Sequence, residues 1–209
     1  MSPEATVFVV DDDAAVRDSL RWLMDSVGLR VAEFASGEAF LAAISAQDPG
    51  CVVLDLRMPK LGGLEVHQRL RQRGIELPVI VISGHGDVAV AVRALKSGVV
   101  DFIEKPFNDQ ELLDCVQQAM RRDSDQRQQQ RRREELMAHY LTLTPRELDV
   151  LRLVVEGRAN KAISADLGIS LKTVETHRAR VMEKMAAGSV SELVRMTLII
   201  ESKGKPLPY

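Results

Sequence analysis

Acidic and lysine residues follow three short, largely apolar runs of this 209-residue chain. Val7-Phe8-Val9-Val10 leads into Asp11-Asp12-Asp13, Cys51-Val52-Val53-Leu54 into Asp55, and Val99-Val100-Asp101-Phe102-Ile103 into Glu104 and Lys105-Pro106. Such runs read as strands. Strand ends converge at the carboxyl edge of a parallel sheet, where open α/β folds hold their ligands. Carboxylates gathered there repel one another unless a cation neutralises them, and an all-oxygen donor set suits Mg²⁺. The pattern points to metal-assisted phosphoryl chemistry in which an aspartate is the accepting group.

Positioning these residues takes a regular scaffold. Strands are predicted at 6–10, 30–34, 51–55, 78–83 and 99–103, mostly as continuous apolar runs, as in a parallel sheet covered on both faces. Helical patterns lie at 14–27, 36–46, 62–73, 86–97 and 107–121. Gly28, Gly74 and Gly98 follow three of them, at the usual place of a left-handed C′ residue. The alternation predicts a doubly wound α/β domain with a five-stranded parallel sheet over residues 1–121. Arg121 through Glu135 holds no apolar side chain. Its Arg, Gln and Glu favour helix, so 122–141 is expected to be an exposed helical linker continuing the preceding helix. Residues 142–209 are expected to form a small all-α domain. Thr144-Pro145-Arg146-Glu147 is a capping-box start with proline at its first helical position. A short helix over 160–167, a turn at Gly168 and a longer helix from Ser170 to about Ala186 form a helix-turn-helix pattern.

Charge divides along the same line. The formal net charge of −2 hides a first portion, residues 1–120, with 11 Lys/Arg against 18 Asp/Glu, and a remainder with 17 against 12. An acidic unit joined to a basic one suggests different partners, nucleic acid being the candidate for the basic one. Cys51 and Cys115 read as buried free thiols, too few and too far apart for a disulfide framework. No apolar run nears the ~20 residues that span a membrane, and Met-Ser-Pro-Glu does not resemble a signal peptide. A cytoplasmic protein that does not engage the membrane is expected.

The motifs Val9-Val10-Asp11-Asp12-Asp13, Leu54-Asp55-Leu56-Arg57-Met58-Pro59, Ser83-Gly84-His85-Gly86 and Phe102-Ile103-Glu104-Lys105-Pro106-Phe107 resemble, in this order, a bacterial response-regulator receiver domain. The resemblance implies that Asp55 is phosphorylated. Asp11 and Asp12 then hold Mg²⁺ together with Asp55 and the backbone carbonyl of Arg57; Asp13 has no ligand role. It further implies that Lys105 contacts the phosphoryl oxygens, that Ser83 turns toward them, and that the Phe102 ring switches between exposed and buried positions. From composition alone, Phe102 is a core residue and the Lys105–Pro106 bond would be trans; the resemblance favours cis. His67, His85 and His139 read as exposed residues without a chemical role.

Residues 142–200 resemble the DNA-binding domain of the LuxR family through Leu143-Thr144-Pro145-Arg146-Glu147, Gly157-Arg158-Ala159-Asn160-Lys161, Leu171-Lys172-Thr173-Val174-Glu175-Thr176-His177, and Met182, Lys184 and Met185. With the receiver, this implies a regulator of the FixJ/NarL type. Helical spacing independently turns Val174, Val181 and Met185 to a core and leaves Lys172, Thr173, Glu175, Thr176, Arg178 and Arg180 for the major groove. Lys161 and Lys184 are expected at phosphates, while Glu147 caps its helix and buttresses Lys184 or a neighbouring base. Ala159 stands where the family carries a Ser or Thr cap, a loss that Asn160 is expected to offset by capping from the next position.

The implied function is a phosphorylation-controlled transcriptional regulator. Its partners are a sensor histidine kinase, double-stranded DNA, a second copy of the chain once phosphorylated, and RNA polymerase. Phosphorylation acts either by dimerisation through 86–121 or by relief of inhibition. The rival reading is a small metal-dependent phosphatase with an aspartyl nucleophile. Leu56 and Arg57 after Asp55 provide no second acid for proton transfer, no insertion offers a lid, and dedicated catalytic turnover is not expected.

Overall fold

A computed structural model describes residues 4–84 and 88–201, which divide into two compact units, Met1–Arg127 and Gln128–Tyr209. In the first, strands β1 (Thr6–Val10), β2 (Arg30–Phe34), β3 (Gly50–Asp55), β4 (Val79–Ser83) and β5 (Asp101–Glu104) alternate with helices α1 (Ala14–Ser26), α2 (Gly37–Ala43), α3 (Gly63–Gln72), α4 (Val88–Ser97) and α5 (Asp109–Tyr140). All strand pairs are parallel, in the order β2-β1-β3-β4-β5. This is the expected doubly wound sheet.

Strand alternation sends side chains to two cores. Phe8, Val10, Val52, Leu54 and Val81 pack with Phe40 of α2, Val66 and Leu70 of α3 and Ala94 of α4. Val7, Val9, Val53, Ile80 and Ile82 pack on the other face with Leu20 and Met24 of α1 and Leu112 and Val116 of α5. β1, β3 and β4 are buried along their whole length, which is why they lack a polar alternation. Edge strand β2 is only half-buried and tolerates Arg30 and Glu33.

The polar stretch after Met120 is not uniformly solvated. Asp123 is buried, accepting from the Gly50 backbone N–H at 2.9 Å and from Arg127 Nε at 2.7 Å. Arg127 also donates to the carbonyls of Ala46, Gln47 and Asp48. The pair fastens α5 to the entry of β3. Only glycine permits that entry, since a Cβ at Gly50, with φ of +140°, would lie 1.8 Å from the Thr6 carbonyl oxygen. The expected linker 122–141 is therefore shared between the two units.

The second unit contains the end of α5, then α6 (Pro145–Val155), α7 (Asn160–Leu167), α8 (Leu171–Lys184) and α9 (Val190–Glu201). Thr144 and Glu147 form the full capping box and Ser170 caps α8. Gly168 ends α7 in the left-handed conformation. Asn160 does not offset the lost cap: Ala159 is the N-cap without a side-chain bond, and the Asn160 amide oxygen instead accepts from Arg178. The core joins Val150, Val154, Ile163, Val174, Val181, Met185 and Leu193 to Leu136 and Tyr140 of α5. Arg133 ties α5 further by donating twice to the Ile200 carbonyl.

Both cysteines are free, but only Cys51 is buried. Cys115 is half-buried, because its thiol donates to Asp101 at 3.2 Å near the surface.

Because Leu136 is 1% exposed in the second core, Leu136→Ala should cost that unit about 2–5 kcal/mol. A fragment beginning at 142 should melt well below one beginning at 128. Equal melting temperatures for the two fragments, by circular dichroism, would count against this assignment.

Candidate functional site

β1 and β3 are neighbours whose connections leave toward opposite faces, so the crevice of this sheet opens between their carboxyl ends. Register pairs Val10 with Leu54, which sets Asp11 and Asp55 side by side, and both are buried. Lys105 follows β5. Its backbone N–H donates to the Ser83 carbonyl at 2.7 Å, and its side chain reaches past the end of β4. Lys105 Nζ lies 2.8 Å from Asp11 Oδ2 and 2.8 Å from Asp55 Oδ1. The Lys105–Pro106 bond is cis.

Burial pushes the Asp55 carboxyl above its ordinary pKa; Lys105 opposes the rise, Asp11 adds to it, and the Arg57 N–H, 2.7 Å from Asp55 Oδ2, lowers it. Burial works against the Lys105 charge as well, yet hydrogen bonds and charge from Asp11 and Asp55 hold its pKa above the usual lysine value. The result is a hydrogen-bonded triad, partly sheltered from water.

Neighbouring backbone fixes the triad. Asp11 Oδ1 accepts from the Asp13 N–H, Asp13 caps α1, and Arg17 donates to the Asp11 carbonyl at 2.8 Å. Arg17 gave no signal in the sequence beyond its place one turn into α1. Gly63 was also missed: a Cβ there would sit 2.4 Å from the Asp55 carbonyl oxygen, so α3 starts against the backbone of Asp55. Ser83 is buried at the end of β4. Phe102 is only half-buried, against one core, and so is not the core residue that composition suggests. His67 is buried, not exposed, and His85 lies outside the described residues.

Among the described residues no three acidic, histidine or cysteine groups form a ready-made metal cluster. Asp11 and Asp55 share an ammonium, and Asp12 stands exposed beside them. Mg²⁺ usually keeps several waters and takes one or two carboxylates. Two or three hard carboxylates with a net negative charge beside an open edge fit it.

The second unit presents α8. Lys172, Glu175, Thr176 and Arg180 are exposed, as is Lys161 on α7. Thr173 and Thr176 engage their own helix through Ser170 Oγ and the Lys172 carbonyl. Arg178 is half-buried and bound to Asn160 Oδ1 at 2.5 Å. Lys184, expected at a phosphate and with Glu147 as a buttress, does meet Glu147. Its ammonium lies 2.6 Å from buried Glu147 and 3.0 Å from the Thr142 carbonyl, and its own carbonyl bonds His139 Nδ1 at 2.8 Å. Its charge is thus committed within the unit before any phosphate is met. Burial alone would raise the Glu147 pKa, but Lys184 and Thr144 together hold it at about 2.

Comparison with known proteins accords with this geometry. The family model of the response regulator receiver domain matches residues 7–117, and that of bacterial regulatory proteins of the luxR family matches residues 141–197. The chain is 47% identical over 199 residues to the transcriptional regulatory protein FixJ of Azorhizobium caulinodans, covering 95% of this chain and 94% of that one. It is 42% identical to the response regulator protein TodT of Pseudomonas putida, covering 94% and 87%. Among solved structures, the response regulator StyR superposes with a TM-score of 0.84 at 39% identity, covering 93% of this chain and 98% of that chain. Full-length FixJ from B. japonicum gives 0.58 at 40% identity, covering 95% and 98%.

Three consequences are open to measurement. Gly63→Ala should push α3 away from Asp55, lowering stability and slowing acceptor chemistry by about tenfold or more, because small misplacements of reacting groups are costly. An unchanged phosphorylation rate would remove Gly63 from the site. Glu147, with its folded pKa depressed to about 2 from 4.5, adds stability that is complete above pH ~4.5 and is lost as pH falls toward ~2. Glu147→Gln should flatten that part of the acid-unfolding curve of the second unit. Lys184→Ala, which strands a buried carboxylate, should cost about 1–3 kcal/mol.

Proposed function

The chain belongs to the response-regulator family, combining a receiver domain with a LuxR-type DNA-binding domain, and from that premise we propose that Asp55 is its phosphoacceptor. The protein is a phosphorylation-controlled transcriptional regulator, and its family is not typically one of catalytic enzymes. One observation carries the assignment of Asp55: a single ammonium, Lys105, bonded at 2.8 Å to both Asp11 and Asp55 at the crevice of the sheet.

The Asp55 carboxylate attacks the phosphorus of a phosphohistidine on a sensor kinase. A P–O bond forms, the P–N bond breaks, and the imidazole nitrogen leaves with the electron pair. Lys105 then exchanges its contact with Asp55 Oδ1 for the phosphoryl oxygens, whose added charge it offsets. Mg²⁺, when bound by Asp11, Asp12, Asp55 and the Arg57 carbonyl, supplies positive charge to the transferring group. Ser83, at the adjacent strand end, donates its hydroxyl to the new group, and Phe102 on β5 moves with it. The chain performs no dedicated turnover.

The changed surface includes α4, where Val92 is 42% and Leu95 49% exposed. These apolar side chains support pairing of α4, β5 and α5 with a second copy after phosphorylation. In the DNA-bound state α8 lies in the major groove, with Lys172, Thr173, Glu175, Thr176 and Arg178 toward the bases. Lys161 and Arg180 meet phosphates, with Lys184 as a helix lock in the first place. RNA polymerase is the further partner of the bound regulator. No helix of the described residues is long and apolar enough to cross a membrane, in keeping with action in the cytoplasm. Residues 122–141 serve as the joint between the domains at 1–121 and 142–209.

Acetyl phosphate with Mg²⁺ should place a single acyl phosphate on Asp55, and Asp55→Asn should abolish it; mass spectrometry finding the group on another residue would reject the assignment. Lys161→Ala should weaken binding to operator and random DNA alike and reduce the salt slope by about one. Lys172→Ala or Arg178→Ala should instead cost about 1–3 kcal/mol at particular base pairs. Uniform loss across both DNAs for every variant would mean that α8 is not the reading helix.

A further inference from the structure

The first unit has a second polar cavity at the edge of the sheet opposite Asp55. Its volume is about 430 Å³, and it is rimmed by His67, Arg71, Glu76, Arg122 and Gln126. Ile75, Leu77, Pro78 and Val100 give it an apolar floor. α3, the starts of β4 and β5, and the part of α5 past Met120 all meet there.

His67 is 5% exposed yet takes part in no step described above. Ser97 Oγ donates its proton to the Ala94 carbonyl at 2.6 Å, so its 3.3 Å contact with His67 Nδ1 requires that nitrogen to carry the hydrogen. Nε2 is then left without a partner among the described residues. Arg71 gives one N–H to the Ser97 carbonyl at 2.6 Å, which offsets the negative end of α4 and leaves further donors on the same planar group. Gly98, whose Cβ would lie 3.1 Å from that guanidinium, keeps its path clear. Arg122 has no bonded partner among the described residues. The acid on the rim, Glu76, accepts from Gln126. Two guanidinium groups against one carboxylate leave the cavity positive, and forked donors match oxyanions.

We infer that this cavity is a binding site for a small molecule that carries an oxyanion and an apolar portion. Arg71 and Arg122 clamp the oxyanion, His67 lines the cavity beside them, and the apolar portion rests on Ile75, Leu77 and Val100. Since Arg122 and Gln126 belong to α5, the ligand ties that helix to α3.

The test uses the full chain without Mg²⁺, with inorganic phosphate in one arm and butyrate in the other. The observable is the His67 ring resonance in proton–carbon spectra. A saturable shift with either probe is expected, and the stronger arm identifies phosphate or carboxylate as the anchoring group. Arg122→Ala, on an exposed helix face, should raise the dissociation constant about tenfold or more, and Arg71→Ala likewise. An unmoved His67 resonance in both arms would overturn the inference, as would a shift equally large in Arg122→Ala or one confined to residues around Asp55. Asp55→Asn should leave the His67 titration unchanged, which separates this site from the phosphoacceptor.

Discussion

Everything at the carboxyl edge of the sheet depends on keeping two buried carboxylates next to each other. Two carboxylates side by side in a half-dry crevice, Asp11 and Asp55, repel one another. Lys105 makes their coexistence tolerable by bonding each at 2.8 Å. That one ammonium links the ends of β1, β3 and β5, strands that are not all neighbours. The surrounding backbone then needs only to hold the acids still, through the Arg57 N–H, the Asp13 turn and the bare Cα of Gly63.

A pair of carboxylates held by a movable cation is also a poised arrangement. Lys105 is only 23% exposed, so its charge is little screened and cannot easily be exchanged for a solvent ion. Under the proposed function, a phosphoryl group on Asp55 would compete directly for it. The Lys105 backbone N–H, bonded to the Ser83 carbonyl, joins that cation to the end of β4.

Much of this was legible in the sequence because the informative signals were local. The apolar runs before Asp11, Asp55 and Lys105 located strand ends, and the parallel topology did the rest. The Thr144–Glu147 capping box and the Val174, Val181, Met185 spacing likewise need only a few consecutive turns. What stayed hidden was nonlocal burial. Asp123 and Arg127 look like an ordinary solvated i,i+4 pair until the loop at 46–50 is brought against them. The contact of Glu147 with Lys184, 37 residues away, was expected, but the burial of that carboxylate was not. The adjacent glycines Gly62 and Gly63 resemble any loop, and only the approach of the Asp55 carbonyl distinguishes the second of them.

The bond from Arg178 to Asn160 has an implication for how the specificity of such a protein can diverge. A side chain that is free on the surface can be exchanged without consequence for its neighbours, but Arg178 also joins α8 to the beginning of a helix that lacks a capping side chain. Changes at positions 160 and 178 are therefore epistatic: either alone leaves its partner's polar group without its bond, and only certain pairs restore it. Among the described residues the side chains of Lys172 and Glu175 carry no such obligation. If α8 is the reading helix, drift toward a new operator has its open route through those two, while position 178 changes late, and in company.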